Sequence, residues 1–279
     1  MPSKASQPPR TAIATDLTAV RNDLQRPRKV GLSEVASQHG AKMPLLTILI
    51  VVFNDCDELQ KIVASILPFH CAELEIVVID GFSKDGTAQL LENFGDAVDY
   101  WLSEPDKGIY DAMNKGVRAA KSTYLLHLNA GDRLLEIPWE NLRQCAAEKI
   151  DVVCCRVLLD STVVFTSYTG LRSKLDNTWH HQGTFYRREA HLGYDTQYAM
   201  GADCDHNQRL LKAGCSRREL PVIVADHDLK GVSANTKGHD EIFRIVRSNF
   251  GRFYLLLAKL RFAFIDLRTF YRVWRGTSH

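Results

Sequence analysis

The chain alternates short apolar runs with segments whose apolar residues recur every three to four positions. Residues 45–53, LLTILIVVF, form a continuous apolar run rich in β-branched residues. It is far shorter than the roughly 20 residues of a bilayer span, and it predicts a strand covered on both faces, hence parallel. Residues 57–67 set Leu59, Ile62, Val63 and Ile66 at helical spacing. Residues 74–80, LEIVVID, predict a second buried strand, followed by a polar turn and a helix through Leu90 and Leu91. A short strand at 98–102, a helix at 109–120 and a strand at 123–128 continue the rhythm. Such alternation predicts an α/β fold with a mostly parallel sheet, flanking helices and right-handed crossovers. Open sheets of this kind bind ligands outside the carboxyl ends of their strands. Those ends carry Asn54, Asp80, Asp106 and Asp132.

Beyond Leu135 the pattern loosens. Residues 151–158 and 162–167 read as strands able to pair as a hairpin, 179–187 mix aromatic and polar residues, and 204–212 read as a helix. This half is expected to finish the sheet and build the second wall of a cleft. From Ile242 to Trp274 the character changes again. Ile242, Val246, Phe253, Leu257, Leu260, Phe264, Leu267, Tyr271 and Trp274 follow one face of a long helix or helical pair, and eight Arg and Lys side chains from Arg244 to Arg275 occupy much of the remainder, with Asp266 the sole acid. A basic amphipathic helix of this kind suits an anionic membrane surface. The plainer reading is a helix that packs on the domain and turns its basic face to water. Three regions follow: an arm at 1–43, an α/β domain at 44–240 and a basic helical tail at 241–279.

Composition adds limits. Of 279 residues, 45% are hydrophobic and 24% charged, ordinary for a globular protein large enough to bury a sizeable core. A net charge of +2 gives no argument for nucleic acid. Seven scattered cysteines without a Cys-x-x-Cys pair read as reduced, mostly buried thiols in a cytosolic protein. Residues 1–43, rich in Pro, Ser, Arg, Gln and Ala, lack a secretory signal's apolar block and read as a mostly disordered arm.

Three segments carry candidate chemistry. In VVIDGFSKDGT (77–87), Asp80 ends a buried strand, where an acid is costly unless it is paired or meets a ligand. The bland reading is a strand-to-helix loop in which Asp85-Gly86-Thr87 turns and caps. In SEPDKGIYDAMNKG (103–116), Asp106 and Lys107 precede a helix N-terminus, a favourable place for phosphate. Asp111 and Asn114 lie three apart on that helix, with Lys115 pointing elsewhere, and such residues often serve as caps. LLHLNAGD (125–132) is a buried strand running into a turn that ends in one carboxylate, Asp132.

In order and wording these segments, with HHQGTFYRRE and MGADCDHNQRLLKAG further on, resemble family 2 glycosyltransferases, the nucleotide-sugar-dependent group with the GT-A fold. The likeness runs over about residues 45–235. It looks closest to the bacterial branch that builds capsular, exopolysaccharide, lipopolysaccharide and glycolipid glycans. The resemblance implies that Val52, Phe53 and Asn54 grip the nucleotide base and that Asp80 binds it. Gly81 stands where many members have a second acid. Asp106, Lys107, Asn129, His181 and Gln182 are implied to line the donor side. Asp132 takes the place of the last carboxylate of the Asp-x-Asp-type motif, which meets the metal and the diphosphate. Asp203 matches the catalytic base, although Ala202 stands where many relatives carry Glu.

The implied chemistry is inverting transfer from a nucleoside-diphosphate-sugar to a hydroxyl of a lipid-linked or membrane-associated acceptor, at the inner face of the cytoplasmic membrane through residues 241–275. Mn²⁺ or Mg²⁺ would offset charge on the departing diphosphate, and a base would deprotonate the attacking hydroxyl. Each site residue keeps a bland alternative. Asp203 suits an N-cap, Asp205 and His206 would face solvent or brace the helix, and His181 lies in an aromatic segment. His227 is a further candidate for metal or diphosphate, and a turn at residues 233–235 could close over the donor. Two other functions stay open: a non-catalytic nucleotide-sugar-binding partner subunit, and a sugar nucleotidyltransferase. The latter would need a Gly-rich basic loop where this chain reads NDCDELQ.

Overall fold

The computed structural model describes residues 29–32, 43–228 and 238–276. The expected turn at residues 233–235 lies outside them, as does most of the N-terminal arm. Among the described residues a single mixed sheet runs through the molecule. Its strands are β1 (Lys29–Leu32), β2 (Leu46–Val52), β3 (Leu74–Asp80), β4 (Tyr100–Ser103), β5 (Tyr124–Asn129), β6 (Arg133–Leu134), β7 (Val152–Leu159), β8 (Val163–Phe165), β9 (Thr184–Arg187) and β10 (Arg217–His227). The helices are α1 (Cys56–Ile66), α2 (Thr87–Asn93), α3 (Ile109–Ala119), α4 (Trp139–Ala147), α5 (Ala202–Lys212) and α6 (Gly238–Gly276).

The spatial order is β1-β4-β3-β2-β5-β9-β7-β10-β6, with β8 hydrogen-bonded to β7 as a hairpin. The expected parallel block is β4-β3-β2-β5. Period-two alternation along β2 explains why its run is apolar throughout. Leu46, Ile48, Ile50 and Val52 pack with Leu59, Ile62, Val63 and Ile66 of α1, whereas Leu49 and Val51 pack on the other face with Tyr110, Ala112 and Met113 of α3. Register then aligns the carboxyl ends: Val52 faces Asp80, Asp80 faces Ser103, and Val51 faces Asn129.

Two expectations change. Lys29–Leu32, inside the segment read as a disordered arm, is a strand paired antiparallel to β4. Its backbone pairing covers an otherwise open edge of β4, which is reason enough for a short segment to order. The single apolar face expected along the tail divides in two, because Gly251 (φ 85°) kinks α6. Before and after the kink, Ile245, Val246, Ala258 and Phe262 are buried. Phe253, Leu256, Leu260, Phe264 and Leu267 instead point outward, each 57–66% exposed. The side chains of Asp266 and of Arg268, Tyr271, Arg272, Trp274 and Arg275 lie outside the described residues. No described helix is long and apolar enough to cross a membrane.

The tail is also wired into the domain. The Glu241 carboxylate accepts the backbone N–H groups of Ala199, Met200 and Gly201 (3.0, 2.8 and 3.0 Å), fixing the turn that launches α5. Burial opposes its charge, but these three donors prevail and hold its pKa below the usual carboxylate value.

Candidate active site

The loops that follow β2, β3 and β4 are tied to one another. Asp80 is fully buried, and its carboxylate accepts the Ser83 N–H and hydroxyl and the Ser103 hydroxyl (2.5 Å). Those donors offset the cost of burying it. Asn54, in the left-handed region (φ 51°), donates its N–H to Ser83 Oγ (2.7 Å) and accepts the Lys84 N–H on Oδ1 (2.8 Å). Phe53 stands beside it, 65% exposed and free to meet a planar ring. Val52 contributes only backbone here, since its side chain is in the core and its carbonyl accepts the Gly81 N–H.

The missing second acid has a steric reason. A Cβ on Gly81 would lie 2.6 Å from Asp106 Oδ2 and 3.1 Å from Phe53. Asp106 therefore reaches back into the space that a side chain at 81 would fill. Its other oxygen accepts the Gly108 N–H (2.8 Å), and burial raises its pKa. Lys107 is not brought in: its side chain is exposed and its N–H donates to Asp111 (3.1 Å). Lys115, expected to point elsewhere, is buried and binds Glu104 (3.0 Å) and the Pro105 carbonyl (2.8 Å), pinning the loop that carries Asp106. Asn114 bridges to the backbone of Tyr194 in both directions.

Across the cleft, Asp132 closes the turn after β5. Its Oδ2 accepts the Asn129 N–H (2.7 Å) and Gln182 Nε2 (3.2 Å), and its Oδ1 lies 2.7 Å from His227 Nδ1. Gly131 has φ 97° with open space where a Cβ would stand, so the turn's backbone demands glycine there and a further acid would be strained. Two amide oxygens nearby, Asn129 Oδ1 and Gln182 Oε1, are buried and accept nothing. One carboxylate, one imidazole and unpartnered oxygen acceptors fit a hard divalent ion whose shell is completed by diphosphate and water. A cavity of about 480 Å³ opens beside this turn, lined by Gly131, Arg133, Asp160, Ser161, Asp226 and Asp228.

Asp203 sits at the second position of α5. The helix cap is Gly201 with no side-chain bond, so the capping alternative falls. Asp203 Oδ1 accepts the Tyr110 hydroxyl (3.0 Å), and Oδ2 accepts Asn177 Nδ2 (2.6 Å) and faces His181 Nδ1 (3.4 Å). Burial pushes its pKa up, but hydrogen bonds from His181 and Tyr110 outweigh burial and hold it below the usual value. Ala202 is completely buried in the apolar core that includes Ile245 of α6, where a carboxylate is costly to bury. Asp205 and His206 do not face solvent: both are buried, Asp205 bonded to Arg209 and Asn249, and His206 accepting the Leu192 N–H.

His181 and Gln182, adjacent in sequence, thus touch the two carboxylates on opposite sides of the cleft. Residues 47–204 match the family model described as Glycosyl transferase family 2. The chain belongs to this family. A PGL/p-HBAD biosynthesis glycosyltransferase of Mycobacterium bovis (strain BCG / Pasteur 1173P2) is 32% identical over 210 residues, covering 69% of this chain and 80% of the relative. An uncharacterized glycosyltransferase of Mycobacterium tuberculosis (strain ATCC 25618 / H37Rv) is 38% identical over 91 residues, 32% of this chain and 35% of the relative. Among solved structures, S. aureus TarS 1–349 in complex with UDP-GlcNAc superposes with TM-score 0.61 at 14% identity, covering 74% of this chain and 66% of TarS 1–349. In another TarS structure this chain spans 39% of the TarS chain. The mannosyltransferase PcManGT of Pyrobaculum calidifontis, in complex with GDP-Man and Mn²⁺, gives 0.51 at 17% identity over 81% of this chain and 66% of PcManGT. The fold is that of the GT-A glycosyltransferases, and family membership supports sugar transfer in glycolipid or polysaccharide synthesis.

Sequence reasoning did not single out Ser83, Ser103, Tyr110 or Asn177. Ser83, Ser103 and Tyr110 lie inside the motifs already quoted, where a hydroxyl near a buried acid is a usable signal. Asn177 had none.

Proposed function

We propose that this glycosyltransferase moves a sugar, with inversion, from a nucleoside-diphosphate donor to a hydroxyl of a lipid-linked or membrane-associated acceptor. The reading is carried by one observation: Gln182 holds Asp132 while the adjacent His181 holds Asp203. The leaving-group side and the base side are thereby fixed in a single frame. The exposed Phe53 and the Asn54 loop line the nucleotide base, with Asp80 bracing that loop. Asp132, with Asn129 and His227 beside it, would hold Mn²⁺ or Mg²⁺, which when bound offsets charge on the diphosphate. Asp203 supplies the basic carboxylate that drives deprotonation of the acceptor, so no protein nucleophile is needed. A single displacement then inverts the anomeric centre.

Cytoplasmic residence, peripheral on the membrane, belongs to the same proposal. It is supported by the outward apolar row of α6 alongside the exposed Arg252 and Lys259. The acceptor would then be presented at the bilayer surface.

The test is calorimetry of the full chain with UDP-, GDP- and dTDP-sugars, with and without Mn²⁺. Nucleotide binding strengthened by Mn²⁺ and made metal-independent by Asp132→Ala is expected. Mn²⁺ alone should bind weakly, since the protein offers one carboxylate. Unchanged nucleotide affinity in Asp132→Ala, or no binding of any nucleotide, would defeat the reading.

A further inference from the structure

We propose that α6 aims the base: Arg261, through Asp176, and Glu241, through the turn before α5, are positioning residues for the Asp203 carboxylate. The proposal rests on the reading of Asp203 as the base and adds the residues that hold it in line.

The need for aiming follows from how Asp203 is held. A carboxylate offers about four lone-pair positions. The Tyr110 hydroxyl takes one on Oδ1 at 3.0 Å, and Asn177 Nδ2 takes one on Oδ2 at 2.6 Å. The direction left to an acceptor hydroxyl is therefore set by where Tyr110 and Asn177 stand. Both partners lead to α6.

On the Oδ2 side the link is a relay of three hydrogen bonds. Asn177, bonded to Asp203 through its side chain, donates its backbone N–H to Oδ1 of the preceding Asp176 at 2.8 Å. Asp176 Oδ2 in turn accepts Arg261 Nη2 at 3.1 Å. Arg261 lies on α6 beyond the kink at Gly251. Without it, the partly exposed Asp176 can turn to water, and the Asn177 peptide loses the carboxylate that orients it. The same helix supplies the apolar contact beside the pair, where Leu175 packs with Val246 and Ala258.

On the Oδ1 side the link runs from Glu241, before the kink. Its carboxylate gathers three consecutive N–H groups, those of Ala199, Met200 and Gly201, so these peptides share one centre. The Met200 carbonyl lies 2.9 Å from the Tyr110 hydroxyl. That hydroxyl has one hydrogen to divide between Met200 and Asp203, so a shift of the turn changes what reaches the base. Gly201 is also the cap of α5, and Asp203 stands on its first turn. The fit is close, since a Cβ on Gly201 would lie 2.8 Å from Ile245 Cδ1 of α6. Asn249, again on α6, holds the next turn of α5 through Asp205 at 3.0 Å. The two halves of α6 thus govern the partners of the two carboxylate oxygens, and the tail is part of the transfer machinery.

Misplacing a reacting group by about 1 Å costs on the order of 10²-fold in rate. The test uses the full chain with UDP-glucose, UDP-GlcNAc and GDP-mannose plus Mn²⁺, water standing in as acceptor and released UDP or GDP as readout. Arg261→Met and Glu241→Gln should each lower kcat at least about tenfold and up to about 10²-fold, with donor KM and UDP or GDP affinity unchanged. Arg261→Lys, which keeps a single donor for Asp176, should restore most of the rate, and Arg247→Met, exposed on the same helix, should leave it intact. The deciding comparison repeats Arg261→Met and Glu241→Gln in Asp203→Ala. Residues that act through Asp203 should add nothing to its loss. Additive losses in the double variants, weakened nucleotide affinity as the main effect, a loss below about tenfold in Arg261→Met, or no recovery in Arg261→Lys would overturn the proposal. Should Glu241→Gln fail to fold, Asp176→Asn breaks the relay at almost constant shape and carries the same expectation. A measurement free of turnover is the crystal structure of Arg261→Met beside that of the parent. Asn177 Nδ2 is expected to leave Asp203 Oδ2, and an unmoved Asn177 would overturn the proposal. If no donor is turned over, the glycosyltransferase reading fails separately, and the two crystal structures still decide whether α6 aims the carboxylate.

Discussion

Asp80 finds its donors 3 and 23 residues away, at Ser83 and Ser103. Asp132 reaches 50 and 95 residues to Gln182 and His227, and Asp203 reaches 26 and 93 to Asn177 and Tyr110. The proposed nucleotide side is therefore assembled within one βαβ unit and its neighbour strand, where a turn and a parallel pairing suffice. The proposed transfer side exists only when β5, α3, α5, β10 and the loop around 180 have all docked. Unpartnered buried polar atoms gather on that second side, at Asn129 Oδ1, Gln182 Oε1 and His180 Nδ1. A site whose own chain leaves acceptors unmet is the place where a ligand completes the hydrogen bonding.

The largest effect should separate the two sides by kind. Asp203→Ala is expected to cut sugar-transfer turnover roughly 10²–10⁴-fold with little change in nucleotide affinity. Ser83→Ala, which strips Asp80 and Asn54 of a shared partner, should instead cost about 1–3 kcal/mol of stability, read by urea unfolding. Were Ser83→Ala to leave stability intact yet abolish turnover, the division between a braced side and a reacting side would collapse.

Gly81→Asp comes next, installing the acid pair common in the family. With 2.6 Å to Asp106 Oδ2 the new Cβ overpacks the loop, at about 1–3 kcal/mol. Asp106→Gly in the same chain should recover most of that loss. Additive losses in the double variant would mean that Asp106 is not the obstacle.

Legibility followed the same line. The parallel block was readable because β2 and β3 are buried on both faces, so their apolar runs are unbroken and end at Asn54 and Asp80. Asp132 was readable because a buried strand ends beside it. β10 was not: LPVIVAD interrupts its apolar residues with Pro221, and only Val224, Ala225 and Asp226 of the strand are buried. Lys115 looked like a surface residue because helical spacing says nothing about a loop, Glu104-Pro105, folding back onto it. Asn177 and Glu241 hold the base side through contacts 26 and 40–42 residues away, and no local pattern encodes such distances. The tail's apolar periodicity was correct in spacing, but the kink at Gly251 redistributed it between two faces.

Acid should weaken the transfer side first. Burial pushes the pKa of His180 and of His191 down to about 3, and lowers His127 and His206 as well. A histidine whose folded pKa is depressed costs nothing above its unfolded value near 6.5. Below that value the unfolded chain binds the proton and the folded chain does not, so stability falls from about pH 6.5 toward pH 3. His180 and His191 should each remove on the order of 1 kcal/mol by pH 5.5. His191→Gln should flatten part of that slope in thermal unfolding between pH 7 and 5. A slope unchanged by the substitution would place the acid sensitivity elsewhere.

The smallest effect on folding is expected for Leu260→Glu on α6, where two leucines three residues apart test whether its faces differ in purpose. Leu257 packs against the cluster of Leu175, Val246 and Ala258, whereas Leu260 is 59% exposed. Leu257→Glu would bring a charge against that apolar cluster and should cost a few kcal/mol. Leu260→Glu should stay within about 0.5 kcal/mol of the parent, as surface substitutions do. On vesicles the order should reverse in significance. Leu260→Glu, with a carboxylate between Phe253, Leu256 and Phe264 on the outward row, should lose cosedimentation with phosphatidylglycerol vesicles while remaining fully folded. High salt should weaken binding of the parent, because Arg252 and Lys259 contribute through charge. A Leu260→Glu protein that still binds such vesicles would leave the outward row without a lipid role and reduce α6 to a brace for the turn before α5.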